Sequence, residues 1–176
     1  VTAPAIVLIN PKFEHNVGAA LRACSCWGVL QLRWTGNRVN FDTPTKERIP
    51  REERMKGYRD VTWARTQRPF DTLRGTPVAI EVRENSECLT TFEHPEDAIY
   101  VFGPEDGSIP RSYLGHCHRF VAIPTHHCLN LSAAVNVVLA HRRFSRQLAG
   151  LEPTVPLAEM LHETRGAVAV PGWDVQ

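Results

Sequence analysis

Apolar residues in this chain fall into short, β-branched runs separated by stretches of helical periodicity. Ala5 to Ile9 is continuous and apolar, the pattern of a strand buried on both faces. Asn10-Pro11 ends it, and Asn16 is placed to cap a helix running to about Trp27. Within that helix Val17, Ala20, Leu21, Cys24 and Trp27 recur at helical spacing, and Gly28 stops it. Val29 to Trp34 reads as the next strand. Arg38 to Lys56 is polar and interrupted by Pro44 and Pro50, which predicts a loop with one short helix near Pro50 to Gly57. A short strand is expected at Val61 to Ala64 and a helical turn near Phe70 to Leu73. Strands follow at Pro77 to Val82, Ala98 to Phe102 and His118 to Ile123, with a short helix near Pro110 to Leu114. The last long helix runs from Leu131 to about Leu148, with Leu131, Ala134, Val135, Val138, Leu139 and Arg142 on recurring positions.

Strands alternating with helices, several of the strands wholly apolar, predict an α/β fold with a mostly parallel sheet and helices on both faces. Residues 1–150 are expected to form one domain, and 151–176, with Pro153, Pro156 and Pro171, a partly irregular tail. No apolar run approaches the roughly 18 residues of a spanning helix. Val1 to Lys12 has no basic leader, so a cytoplasmic protein with no membrane partner is expected.

Five cysteines at irregular spacing argue against a disulfide framework, and most are expected to be small buried apolar groups. The net charge of +1 does not point to nucleic acid. Its distribution is more informative. Arg38, Lys46, Arg48, Arg51, Arg54, Lys56, Arg59, Arg65 and Arg68 face only Asp42, Glu47, Glu52, Glu53 and Asp60 in the same stretch. Such an excess can neutralise phosphates, which makes Lys46, Arg48, Arg51, Arg54 and Lys56 candidate RNA contacts; a solvated mixed-charge face is the alternative.

Three segments combine Gly or Pro with amide, acidic and hydroxyl groups: Asn16 to Arg22, Val101 to Pro110, and Ile123 to Ser132. The second and third follow strand-like runs, where open α/β sheets bind ligands. Gly103 suits a close backbone approach to a flat ligand, Gly107 a positive-φ turn, and Glu105 a hydrogen-bond acceptor between them. Asn130 and Ser132 are capping-type residues at a helix start. Taken singly, each segment reads first as a plain turn or cap.

Taken together, in this order, they resemble the three motifs of the SPOUT RNA methyltransferases, SpoU/TrmH branch. The first motif matches at Asn16, Gly18 and Arg22. The second matches at Phe102-Gly103-Pro104-Glu105-Asp106-Gly107, and the third at Ile123-Pro124 through Leu129-Asn130-Leu131-Ser132. Cys128 stands where the family has the first Ser of its third motif, and the loop from Pro124 to Asn130 is shorter than is common. The resemblance runs from about Ala5 to Arg143. With no extra N-terminal domain in the 176 residues, the chain is similar to the minimal members, which include enzymes of the tRNA wobble ribose.

What the resemblance implies is an S-adenosylmethionine-dependent methyltransferase acting on a ribose 2′-OH of RNA, first of all tRNA. It also implies a homodimer and a C-terminal deep trefoil knot, a rare exception to ordinary topology. Arg22, Asn16, Glu105, Asn130 and Ser132 would be catalytic, with Arg22 also touching RNA. Phe102, Gly103, Pro104, Glu105, Gly107, Ile123, Pro124, Cys128 and Leu131 would hold the cofactor. Trp27, Leu139 and Phe144 are candidate dimer contacts. The alternatives are a catalytically inactive RNA-binding protein of the same fold, and a base-nitrogen RNA methyltransferase. His116-Cys117-His118 and His126-His127-Cys128 raise a metal site, but no C-x-x-C or H-x-x-x-H spacing occurs and no metal is expected.

Overall fold

The computed structural model describes residues 4–39, 41, 59–154, 156 and 159. Among the described residues seven strands form one sheet, β1 (Ala5–Leu8), β2 (Gln31–Trp34), β3 (Thr62–Arg65), β4 (Thr76–Ile80), β5 (Glu87–Cys88), β6 (Ala98–Phe102) and β7 (Arg119–Ala122). The helices among the described residues are α1 (Glu14–Trp27), α2 (Arg111–Leu114) and α3 (Leu131–Leu148), and Leu89–Thr91 forms a 3-10 turn. The strand order is β3-β2-β1-β6-β4-β7-β5. Every pairing is parallel, so all strand ends that carry loops toward a ligand lie on one edge.

Period-two alternation sorts the side chains of the central strands onto two faces. Ile6 and Leu8 of β1 with Tyr100 and Phe102 of β6 join Val17 and Leu21 of α1 and Val135, Val138 and Leu139 of α3 in one cluster. Their neighbours Ala5, Val7, Ile99 and Val101 join Leu73, Ala79, Ile109 and Cys117, with Phe70, Tyr113 and Leu114 packed against them. Both faces are therefore covered, which is why β1 and β6 carry no charged residue and only one polar group, the Tyr100 hydroxyl. At the far side of the first cluster Trp34, Phe41 and Trp63 pack ring against ring. There the buried Trp34 Nε1 has no hydrogen-bond partner.

One buried cation and one polar relay hold α3 to β6. Arg142, 6% exposed, donates through Nη1 to the Pro95 carbonyl (2.6 Å) and through Nη2 to that of Glu96 (2.8 Å). Its Nη1 also reaches the Tyr100 hydroxyl at 3.4 Å. Tyr100 pairs with His94 Nδ1 (2.5 Å), and His94 Nε2 with His141 Nδ1 (2.8 Å). Carbonyls satisfy the guanidinium, so no buried charge is left bare.

Several boundaries differ from the sequence reading. The helix α1 begins at Glu14, so Asn16 lies inside it and Phe13 is the N-cap residue, with no side-chain cap. Gly28 ends it in the left-handed region, φ 72°, as its position predicts. The segment Phe70 to Leu73 is a turn without helix, and β4 stops at Ile80, leaving Val82 78% exposed. The two-residue β5 was not expected, and the short helix placed near Pro50 to Gly57 lies outside the described residues. Leu139 is 1% exposed in the core and is no dimer contact, whereas Phe144 is 55% exposed. Only Cys24 and Cys117 are buried; Cys26, Cys88 and Cys128 are exposed, and all five are free thiols. No described helix is long and apolar enough to cross a membrane.

Candidate active site

The loops after β1, β6 and β7 meet at the carboxyl edge of the sheet, and one directed chain of hydrogen bonds joins all three motifs. Asn130 caps α3: its Oδ1 accepts from the Ser132 backbone N–H (2.9 Å) and the Ser132 hydroxyl (2.7 Å). The Asn130 amide nitrogen then donates to Asn16 Oδ1 (2.9 Å), and the Asn16 amide nitrogen donates to Glu105 Oε1 (2.6 Å). The second Glu105 oxygen accepts the Lys12 backbone N–H at 2.7 Å. Asn16 is 1% exposed, so both halves of its amide need partners, and this chain supplies them. Every donor points toward Glu105, so the carboxylate charge polarises the whole series. Both of its oxygens are occupied, which makes Glu105 a positioning acceptor that gathers the first and second motifs.

Around this chain the loops are pinned from below. The Ile109 N–H donates to Glu81 Oε2 (2.9 Å), fixing the loop after β6 to the end of β4. A Cβ on Gly103 would lie 3.2 Å from Ile109, so the glycine lets Ile109 close over the loop start. Asn10, itself at φ 44°, donates its N–H to Thr35 Oγ1 (3.0 Å). A Cβ on Gly36 would lie 2.1 Å from Asn10 Oδ1, so that crossing accepts only glycine. Beyond it, Arg38 forks onto both oxygens of Asp106, at 2.9 and 2.7 Å, and the Lys12 amine stands 3.5 Å from Oδ2. The Arg38 guanidinium and its hydrogen bonds hold the Asp106 carboxyl down at about 2.

The remaining candidates are placed unevenly. Phe102 and Leu131 bury their side chains in the core, at 2% and 6% exposure, and offer a ligand only backbone. Ile123 is partly buried at the end of β7, like Ile80 at the end of β4, and Pro124 to Asn130, including Cys128, is exposed. Pro104 is half-buried. Gly107 is not at positive φ, and a Cβ there would meet only ordinary contact, so the expected steric need is absent. Arg22 lies on the exposed side of α1, about 120° around the helix from Asn16, so the two do not share a face. Lys46, Arg48, Arg51, Arg54 and Lys56 lie outside the described residues.

The histidine clusters go elsewhere. His116 packs on Phe70 at 4.9 Å, the Cys117 thiol donates to the Tyr113 carbonyl, and His118, His126 and His127 are exposed. No three His, Cys, Asp or Glu side chains converge as a metal site among the described residues. A cavity of about 350 Å³ lined by Arg68, Phe70, Asp71, Ser112, Tyr113 and His116 shares no residue with the motif loops. Sequence reasoning missed Lys12, Glu81 and Asp106 as parts of this edge. Asp106 stood inside the second motif, and Lys12 directly after the first strand's terminating Asn10-Pro11 was the available signal.

Comparison with solved structures gives the same fold. The SpoU methyltransferase AviRb from Streptomyces viridochromogenes, solved in complex with AdoMet, matches at TM-score 0.69 and 15% identity, over 82% of this chain and 60% of that one. The present chain thus spans about 60% of AviRb. The TrmH/SpoU tRNA modifying enzyme of A. aeolicus matches at 0.70 and 20% identity, over 93% and 86%. A structure solved for the 2-OH methylation of C/U34 on tRNA matches at 0.67 and 22%, over 85% and 98%. No curated protein matches the chain. The SpoU rRNA Methylase family model matches residues 3–140, which takes in all three motifs and the whole hydrogen-bonded chain from Ser132 to Glu105. The chain belongs to the SpoU rRNA methylase family.

Proposed function

We propose that the protein transfers a methyl group from S-adenosylmethionine to a ribose 2′-OH of RNA, most directly tRNA. The observation that carries the reading is the chain Ser132–Asn130–Asn16–Glu105, which ties the three motif loops into one site at the carboxyl edge of the sheet. The residues there fit an adenosine-bearing cofactor: Ile80 and Ile123 are apolar and only partly buried, Gly103 follows β6 with no side chain in the way, and the loop from Pro124 is exposed. When bound, S-adenosylmethionine supplies a methyl group on a positively charged sulfur.

The chain's own residues would do the rest. The attacking ribose oxygen forms the new C–O bond as the C–S bond breaks; the bonding pair stays on sulfur and the 2′ proton must leave. Arg22, exposed on α1, is the group assigned to hold the ribose and its phosphate. A guanidinium with pKa above about 12 is a poor base, so its part is orientation, with the proton passing to phosphate or solvent. Asn16 and Asn130 fix the loops against which the ribose is set, and most of the rate gain comes from that positioning.

A homodimer in the cytoplasm and a C-terminal knot belong to the same reading. The position of β7 between β4 and β5 supports the knot. Exposed Phe144 and Leu148, one helical turn apart, support the dimer. Calorimetry with S-adenosylhomocysteine, together with mapping of 2′-O-methyl sites in RNA with and without the protein, tests the activity. No binding would favour an inactive RNA-binding protein, and label on a base would favour base methylation. A monomer mass by light scattering would remove the dimer.

A further inference from the structure

Next to the Asn16–Glu105–Asn130 chain lies a group of side chains that it does not use. Phe13 is 42% exposed, on the loop between β1 and α1. Its ring stacks on the exposed His15 ring, with centroids 5.3 Å apart and planes at 17°. The Lys12 amine stands 5.3 Å from the Phe13 ring centre and 3.5 Å from Asp106 Oδ2. Arg38 forks onto the same carboxylate. One anionic group is thus clasped by a planar guanidinium and an ammonium, with an open aromatic stack beside it.

That is the chemistry of a nucleotide. A forked guanidinium accepts a phosphate in the geometry it uses for a carboxylate, and a lysine adds a point charge. Stacked rings at the surface take a nucleobase regardless of its sequence. The backbone of Lys12 is bonded to Glu105, so this lip is continuous with the candidate active site.

We propose that Lys12, Phe13, His15 and Arg38 hold one nucleotide of the RNA next to the reacting one, its base continuing the Phe13–His15 stack and its phosphate replacing the Asp106 carboxylate on Arg38 and Lys12. The proposal rests on the reading of the chain as an RNA methyltransferase. Asp106 then has a double character. It keeps Arg38 aligned before RNA arrives, and it competes with the phosphate that follows.

The test is binding of unmodified bulk tRNA and of a short single-stranded oligouridylate to the full chain at several salt concentrations. The variants are Asp106→Asn, Arg38→Gln, Phe13→Leu and His15→Ala, with S-adenosylhomocysteine affinity and thermal melting as folding controls. Asp106→Asn should tighten RNA binding several-fold, because the phosphate then has no carboxylate to displace from Arg38 and Lys12. Arg38→Gln should weaken binding and flatten the plot of log affinity against log salt by about 0.7, one phosphate contact fewer on a single strand. Phe13→Leu and His15→Ala should each weaken it by about tenfold with the salt slope unchanged. Unchanged or weaker binding by Asp106→Asn overturns the phosphate half, because a mere structural clasp gains nothing from losing its acid. Unchanged binding by both ring variants overturns the stacking half. If the wild-type chain binds neither RNA, the methyltransferase reading fails with the proposal; if it binds both and the variants match it, only the proposal fails.

Discussion

Asn16 and Glu105, 89 positions apart in sequence, meet amide to carboxylate at 2.6 Å. Asn16 is 1% exposed, so its side of the contact is sheltered from bulk water, and a hydrogen bond to a charged acceptor is stronger than one between neutral groups. Asn16→Ala leaves Asn130 without its acceptor and Glu105 without one of its two donors. We expect a loss of about 1–3 kcal/mol in urea unfolding and a collapse of methyl transfer. A variant as stable as wild type would mean that the chain is not coupled to the fold.

Arg22 gives a contrasting expectation. It is exposed on α1 and contributes no side chain to the core. Arg22→Ala should therefore melt close to wild type and bind S-adenosylhomocysteine within a few fold, while methyl transfer is nearly lost. Turnover near wild type would remove Arg22 from the mechanism.

Asp106 makes a prediction about pH. Its folded-state pKa is depressed from 3.8 to about 2, mainly by the hydrogen bonds from Arg38. A depressed carboxylate contributes stability that is fully present above its unfolded pKa and is lost as pH falls through the folded value. The stability difference between wild type and Arg38→Gln should hence be constant above roughly pH 5 and shrink between pH 4 and pH 2. Carbon-13 titration of the Asp106 carboxyl in both proteins checks this directly; identical midpoints would show that the fork does not persist in solution.

The basic stretch is tested by salt. If Arg51 and Arg54 contact phosphates, alanine at both should flatten the salt dependence of tRNA binding by about 0.7 to 0.9 per charge removed. Cofactor affinity should be unchanged. An unaltered slope would return those side chains to a solvated surface.

The central fold was legible because its signals are local. The apolar runs of β1 and β6 and the periodicity of α3 each announce themselves within a few residues, and the boundaries of β6 and α3 match. What failed was whatever distant partners decide. Asn16 has the look of a cap, yet its amide is recruited by Glu105 and Asn130, and the helix starts two residues earlier. The pair Glu87–Cys88 is too short and polar to read as a strand; the neighbour β7 makes it one. The motif residues were found as a set, while Lys12, Glu81 and the Arg38–Asp106 fork were not. Their roles depend on which loops the sheet order brings side by side.

That order also has a consequence for how the chain is made. The strand β6 pairs with β1 on one side and β4 on the other, although β4 is finished well before it. Until β6 has been synthesised, no strand is available to join β3-β2-β1 to β4. The emerging chain must keep the apolar sides of β1 and β4 apart from other chains while it waits. The strand that closes the gap delivers Gly103 and Glu105 directly behind it, so Asn16 gains its carboxylate partner from the segment that joins β1 to β4, and Asn130 follows only after β7.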